Sequence, residues 1–185
     1  MRAQIFFMAA FLLGGGLAAG PKTMAIRQLT DMDAPTAAAA EKVVLNGVVL
    51  FVSGIEPGRF VLANPESPRR PGVTVVAAPD IEMPQFGDCV QVEGTTFWRG
   101  DAAAVAASRV EYIRAMTLPV AAGAKQSDFR QGMLAGRRVS LRGTVREMRI
   151  EEAPTGPVTL LSLYIDNYTT CLRVPGALDA GQNVG

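Results

Sequence analysis

The chain has 185 residues, 49% of them hydrophobic and 19% charged, and its 18 basic and 17 acidic side chains leave a formal net charge of +1. That allows one ordinary domain or two small ones, with enough apolar material for a packed core and too little charge for a disordered chain. The near-neutral balance lacks the positive field of a non-specific nucleic-acid binder, and the absence of histidine removes the commonest general base and metal ligand.

The chain opens on a targeting pattern. Arg2 is a positive start, residues 5–13 (Ile-Phe-Phe-Met-Ala-Ala-Phe-Leu-Leu) form an apolar stretch, and residues 14–20 are the small residues of a cleavage region. Even counted to Leu17, the apolar run is shorter than the ~20 residues that span a bilayer. The expectation is an exported chain with a signal segment at residues 1–20. Membrane contact is then confined to that segment or to a further C-terminal part.

Residues 21–42 read as a lead-in, with one or two helical turns over 36–42 capped by Thr36. From Val43 the pattern changes to strands. Residues 43–52 are β-branched and apolar on both alternating faces except at Asn46 and Gly47, as in a strand that bends at a glycine to serve two sheets. A turn at 54–58 leads to strands at 59–63, 73–77 and 88–98, and a fifth strand falls within 105–113. The loop 65–72 carries three prolines and two arginines, and the connector 79–86 has room for a short helix. Residues 43–115 thus read as a first barrel.

Residues 116–136 link this block to the next, with a short helix over 127–133 capped by Ser127. Residues 137–185 form a second unit. In its first strand, 137–150, Val139, Leu141, Gly143 and Val145 face one way and Arg138, Ser140, Arg142, Thr144 and Arg146 the other. The alternation slips near Glu147, which predicts a bulge. Strands at 158–165 and 170–174 follow.

Val43-Val-Leu-Asn-Gly-Val-Val49 and Val139-Ser-Leu-Arg-Gly-Thr-Val145 share Val-x-Leu-x-Gly-x-Val at an offset of 96 residues. Together with Gly87-Asp-Cys-Val-Gln-Val-Glu-Gly94 in the fourth strand, they mark an internal repeat. A glycine-bent first strand and a Gly-Asp-x-Val-x-Val-x-Gly fourth strand resemble the OB-fold, a five-stranded Greek-key barrel. Their tandem arrangement behind a signal segment is similar to the OB-like repeats in the extracytoplasmic sensor regions of bacterial histidine kinases and related envelope proteins. The resemblance covers residues 43–174 and departs from the usual pattern at Asn64-Pro-Glu-Ser-Pro68. It implies an all-β chain: a five-stranded OB-type barrel, then a second OB-like unit that stops where Gly181 would open its fourth strand. It further implies a fragment of a longer signalling protein, lying in the periplasm or on the outer face of a bacterial inner membrane.

Arg138, Arg142 and Arg146 share one strand face, with Arg137 and Arg149 nearby, and would attract a phosphate, a carboxylate or an anionic glycan. The weightier reading of the same face is a solvated strand that resists edge pairing. Phe60 and Trp98, with Phe97, could stack a base or a sugar, as could Tyr164 and Tyr168 on the second unit, although core packing accounts for them as well. Arg99-Gly-Asp101 matches an integrin-ligand tripeptide, yet a turn needs Gly and Asp in any case. Cys89 and Cys171 allow a disulfide in an exported chain; their apolar strand settings favour buried free thiols.

No catalytic constellation emerges. A serine or cysteine nucleophile would lack a histidine base, and Lys22, Lys42 and Lys125 stand in no motif. Glu151 and Glu152 sit in a turn, and no glycine loop cradles a phosphate. The expected function is a non-catalytic sensory input or binding module without a cofactor, its partner a small anion, a glycan or another protein. The alternatives are a single-stranded nucleic-acid binder, which charge and leader oppose, and a structural or oligomerisation spacer.

Overall fold

The computed structural model describes residues 20–131 and 133–178. The expected signal segment, apart from Gly20, lies outside these residues, as does the stretch from Gly181 onward. Among the described residues, no helix is long and apolar enough to cross a membrane.

Three short lead-in elements, β1 (Lys22–Thr23) and the helices α1 (Ile26–Thr30) and α2 (Ala34–Ala38), precede five strands. These are β2 (Lys42–Val52), β3 (Arg59–Ala63), β4 (Val73–Ala77), β5 (Asp88–Arg99) and β6 (Ala102–Ala115). They close a barrel. β2 pairs antiparallel with β3, β3 with β4, β6 with β5 and β5 with β2, while β4 and β6 run parallel. In a closed barrel every strand pairs on both sides, and β2 does so along different parts of its length. The first part of β2, Lys42 to Val48, pairs with β5, and the second part, Val48 to Val52, pairs with β3. This is why its sequence is apolar on both faces. Gly47 sits at the crossing, where a Cβ would fall 2.4 Å from Leu62 Cγ.

The core takes Val43, Leu45 and Val49 from β2 and Phe60 and Leu62 from β3, with valines of β4, β5 and β6. It also takes Met24, Ile26 and Leu29, so residues 21–42 are part of the barrel rather than a detached lead-in. α1 lies against the barrel with Leu29 fully buried, while β1 adds a parallel strand beside Val43 and Val44. α2 begins earlier than Thr36. Asp33 is its cap, accepting a hydrogen bond from Thr36 N at 3.0 Å, and Pro35 fits the first turn. The buried Thr96 hydroxyl donates to Ala37 O (3.0 Å) and accepts from Glu41 N (3.0 Å), stitching α2 onto β5. The connector 78–87 carries no helix.

The rest of the described chain comprises β7 (Ala122–Gly123), α3 (Gln126–Arg130), β8 (Val139–Ser140), β9 (Thr144–Ala153), β10 (Gly156–Ile165) and β11 (Tyr168–Pro175). β9, β10 and β11 form an antiparallel sheet, and β7 and β8 a parallel pair. The expected continuous strand 137–150 is interrupted at residues 141–143, where no strand among the described residues takes up the backbone bonds. α3 starts at Gln126, and the Asp128 carboxylate accepts from Lys125 N (2.8 Å), so Ser127 is not its cap. The expected bulge is present: Val145 faces Leu163 and Glu147 faces Ser162, leaving Arg146 skipped. Asp166 and Asn167, both with positive φ, make the two-residue turn between β10 and β11. Val158, Leu161, Leu163 and Ile165 are buried, whereas Val145 and Ile150 of β9 are about half exposed.

Cys89 is buried and Cys171 is exposed on β11, and both are free thiols. The burial expected of both therefore fails for Cys171, an outward position on a strand covered on one face only.

Candidate functional site

The structure scatters the side chains singled out from sequence. Phe60 is fully buried in the barrel core and presents no surface to a ligand. That corrects its assignment as a stacking residue. Its neighbours are Val52 on β2 and Val75 on β4, the inward positions of a pleated barrel wall. Trp98 is half buried on β5 opposite Ala103, near the turn into β6. That turn is tied to the β2–β3 turn by Glu56, whose carboxylate takes both Arg59 and Arg99. The Arg-Gly-Asp stretch thus supplies a turn with an engaged arginine.

Arg138, Arg142 and Arg146 do not act together. Arg138 is half buried, donates to Pro119 O at 2.7 Å and lies 5.0 Å over the Phe86 ring, so it braces the linker against the barrel. Arg142 is exposed in the interruption between β8 and β9. Arg146 stands at the bulge with its guanidinium 4.6 Å over the Tyr164 ring, whose hydroxyl donates to Asn167 Oδ1 (2.7 Å). Of the side chains singled out, only the Arg146–Tyr164 pair is brought together.

A different set of arginines converges. The loop 64–72 is built from consecutive turns. Asn64 Oδ1 accepts from Glu66 N (2.9 Å), Ser67 N donates to Asn64 O (3.0 Å) and Arg70 N donates to Ser67 O (3.0 Å). Pro65, Pro68 and Pro71 restrict the backbone further. The loop then meets the linker through one backbone bond, Gly72 N to Gly136 O at 2.8 Å. Gly136 has φ +64°, and a Cβ there would lie 2.6 Å from Gly72 O, so only glycine permits this approach. The contact brings Arg69 and Arg70 beside Arg137 and Arg138.

Two hollows result. The larger, about 440 Å³, lies between α1, the loop and the linker and is lined by Ile26, Arg27, Asn64, Ser67, Arg70 and Arg137, among others. Arg27 is held by Asp31 at 3.3 Å. Arg70 and Arg137 have no ion-pair partner among the described residues. The smaller, about 120 Å³, is lined by Arg69, Arg137 and Arg138 with Asp128. Guanidinium groups stay charged at any physiological pH and offer fixed forks of N–H donors. They bind oxyanions, and they supply neither a base nor a nucleophile. No group of three or more acidic, cysteine or histidine side chains that could hold a metal occurs among the described residues.

Sequence reasoning missed Arg27, Arg69 and Arg70 and treated Arg137 only as a neighbour. The available signal was a pair of phrases, Arg69-Arg-Pro-Gly72 and Gly136-Arg-Arg138, each joining a double arginine to a glycine. No family model matches the chain, and no curated protein matches it.

Proposed function

We propose that this chain is an exported, non-catalytic binding module that captures an anionic ligand between its barrel and the sheet that follows. The convergence of Arg70 and Arg137, drawn from separate segments and without an ion-pair partner among the described residues, on one cleft of about 440 Å³ carries this reading. The carboxylate in the lining, Asp31, is taken by Arg27 at 3.3 Å, so Arg70 and Arg137 repel each other, and an oxyanion that receives both relieves that cost. The apolar N-terminal stretch behind Arg2 supports export. Such a module would serve as sensory input in a bacterial envelope protein, since a ligand touching both units fixes their arrangement.

Within this proposal the first barrel is of OB type. Its strand order, with the third and fifth strands parallel, fits that plan. The second unit is a further OB-like copy. Ala122 pairs with Val139 as Lys22 pairs with Val43, and Ala124 N donates to Ser140 O (3.0 Å) as Met24 N donates to Val44 O (3.0 Å). The shared Val-x-Leu-x-Gly-x-Val phrase therefore enters both units in one register.

Calorimetric titration with inorganic pyrophosphate tests the binding reading. Each charged hydrogen bond lost costs about 1.5–3 kcal/mol, so Arg70→Ser and Arg137→Ser each weaken binding roughly tenfold or more. Unchanged affinity in both variants refutes the site. Export is tested by fusing residues 1–41 to a reporter active only outside the cytoplasm; a silent reporter contradicts it.

A further inference from the structure

We infer that the ligand of this cleft is a linear polyanionic glycan that runs from the larger hollow across Arg137 into the smaller one. The inference rests on the anion-binding reading above and adds the shape and class of the ligand.

Arg137 lines both hollows, while the adjacent Arg70 and Arg69 line the larger and the smaller respectively. With Arg138, whose guanidinium also donates to Pro119 O, four arginines line the two hollows beside the Gly72–Gly136 junction. None of the four has an ion-pair partner among the described residues. Each hollow also has one aspartate in its lining, and both are engaged: Asp31 in the larger pairs with Arg27 at 3.3 Å, and Asp128 in the smaller accepts from the Lys125 backbone N–H at 2.8 Å. A single oxyanion answers one pair of these cations and leaves the rest unmatched. A chain with repeated anionic groups answers them in turn, and each later contact is made at the high effective concentration set by the first.

The lining also separates a glycan from a nucleic-acid strand. Binders of single strands stack bases on aromatic side chains. No aromatic residue lines either hollow. The larger one instead offers the Asn64 side-chain NH2 as donor, the Thr30 hydroxyl, which donates to Arg27 O, as acceptor, and the Ser67 hydroxyl as either, a set that matches sugar hydroxyls.

The test is titration of the intact chain with a heparin-derived disaccharide, the corresponding hexasaccharide, neutral maltohexaose and hexathymidylate. The hexasaccharide is expected to bind about tenfold or more tighter than the disaccharide, since it engages both hollows. Arg69 is exposed and makes no ion pair among the described residues, so Arg69→Ser and Arg69→Glu leave the fold intact. Both should lower hexasaccharide affinity and spare the disaccharide, with Arg69→Glu the stronger. Arg70→Ser should weaken both sugars. Equal affinity for the two sugars, or indifference of the hexasaccharide to Arg69, overturns the extended site. Equal binding of maltohexaose overturns the role of charge, and tighter binding of hexathymidylate overturns the glycan assignment. Failure of every anion to bind, pyrophosphate included, removes the underlying anion-binding reading instead.

Discussion

Leu50 of β2 and Arg146 of β9 are each the residue skipped where their strand changes register against the next. Val49 faces Leu62 and Phe51 faces Val61, and likewise Val145 faces Leu163 and Glu147 faces Ser162. The two skipped residues stand 96 positions apart, the same offset as the shared phrase. Three residues before each lies a glycine packed against a leucine of the next strand: a Cβ on Gly47 would strike Leu62, and one on Gly143 would strike Leu163 at 2.7 Å.

These glycines make a paired prediction. Gly47→Ala forces a methyl group into the Leu62 side chain inside a closed core and should destabilise the barrel by about 1–3 kcal/mol in urea unfolding. Gly143→Ala should loosen residues 141–165 in hydrogen exchange while leaving protection of β2 to β6 unchanged. Loss of barrel protection in Gly143→Ala would show that the sheet and the barrel unfold as one body.

The lead-in provides a second test. Leu29 is fully buried among Val43, Leu45 and Phe60. Leu29→Ala should cost about 2–5 kcal/mol, as for other large-to-small core changes. If the unfolding midpoint is unchanged, α1 is dispensable and the barrel begins at β2, as the sequence pattern implied.

Much of the barrel was legible because β3 and β4 are short apolar strands bounded by Gly and Pro, and β2 carries β-branched residues on both faces. The bulge near Glu147 was legible as a slip in alternation. Leu29 was not, because α1 is a single five-residue helix, too short for the i, i+3 spacing of Ile26 and Leu29 to stand out. The break at residues 141–143 was not either, since the pattern of a strand says nothing of whether a neighbour exists to pair with it. Phe60 looked available from its type alone; its place on the inner face of a closed barrel decides otherwise. The arginine cleft depends on loop 64–72 meeting Gly136, a contact between segments far apart in sequence that no local period encodes.

The thiols should differ in reactivity. Cys171 is exposed and Cys89 is 4% exposed. In the native protein a maleimide should label Cys171 rapidly and Cys89 only upon unfolding. Rapid labelling of both would mean that β5 opens readily.

The α2 cap gives a pH dependence. Hydrogen bonds from Thr36, its side chain first and then its backbone N–H, hold the Asp33 carboxyl below its ordinary value of 3.8. Folding therefore favours the ionised form. The contribution is full above the ordinary carboxylate range and is lost as the pH falls through the lower folded-state value. The difference in urea midpoint between the unsubstituted protein and Asp33→Ala should be greatest at neutral pH and shrink on acidification. A difference that persists at the lowest pH would assign the effect to packing rather than to the charged cap.

The central claim, anion capture between barrel and sheet, is tested most directly by amide chemical-shift mapping of the isotope-labelled chain titrated with pyrophosphate. The account predicts saturable shifts confined to residues 26–31, 64–72 and 136–138, lost in Arg70→Ser. Saturable shifts centred on Trp98 and the β5–β6 turn, or none at any residue, would contradict it.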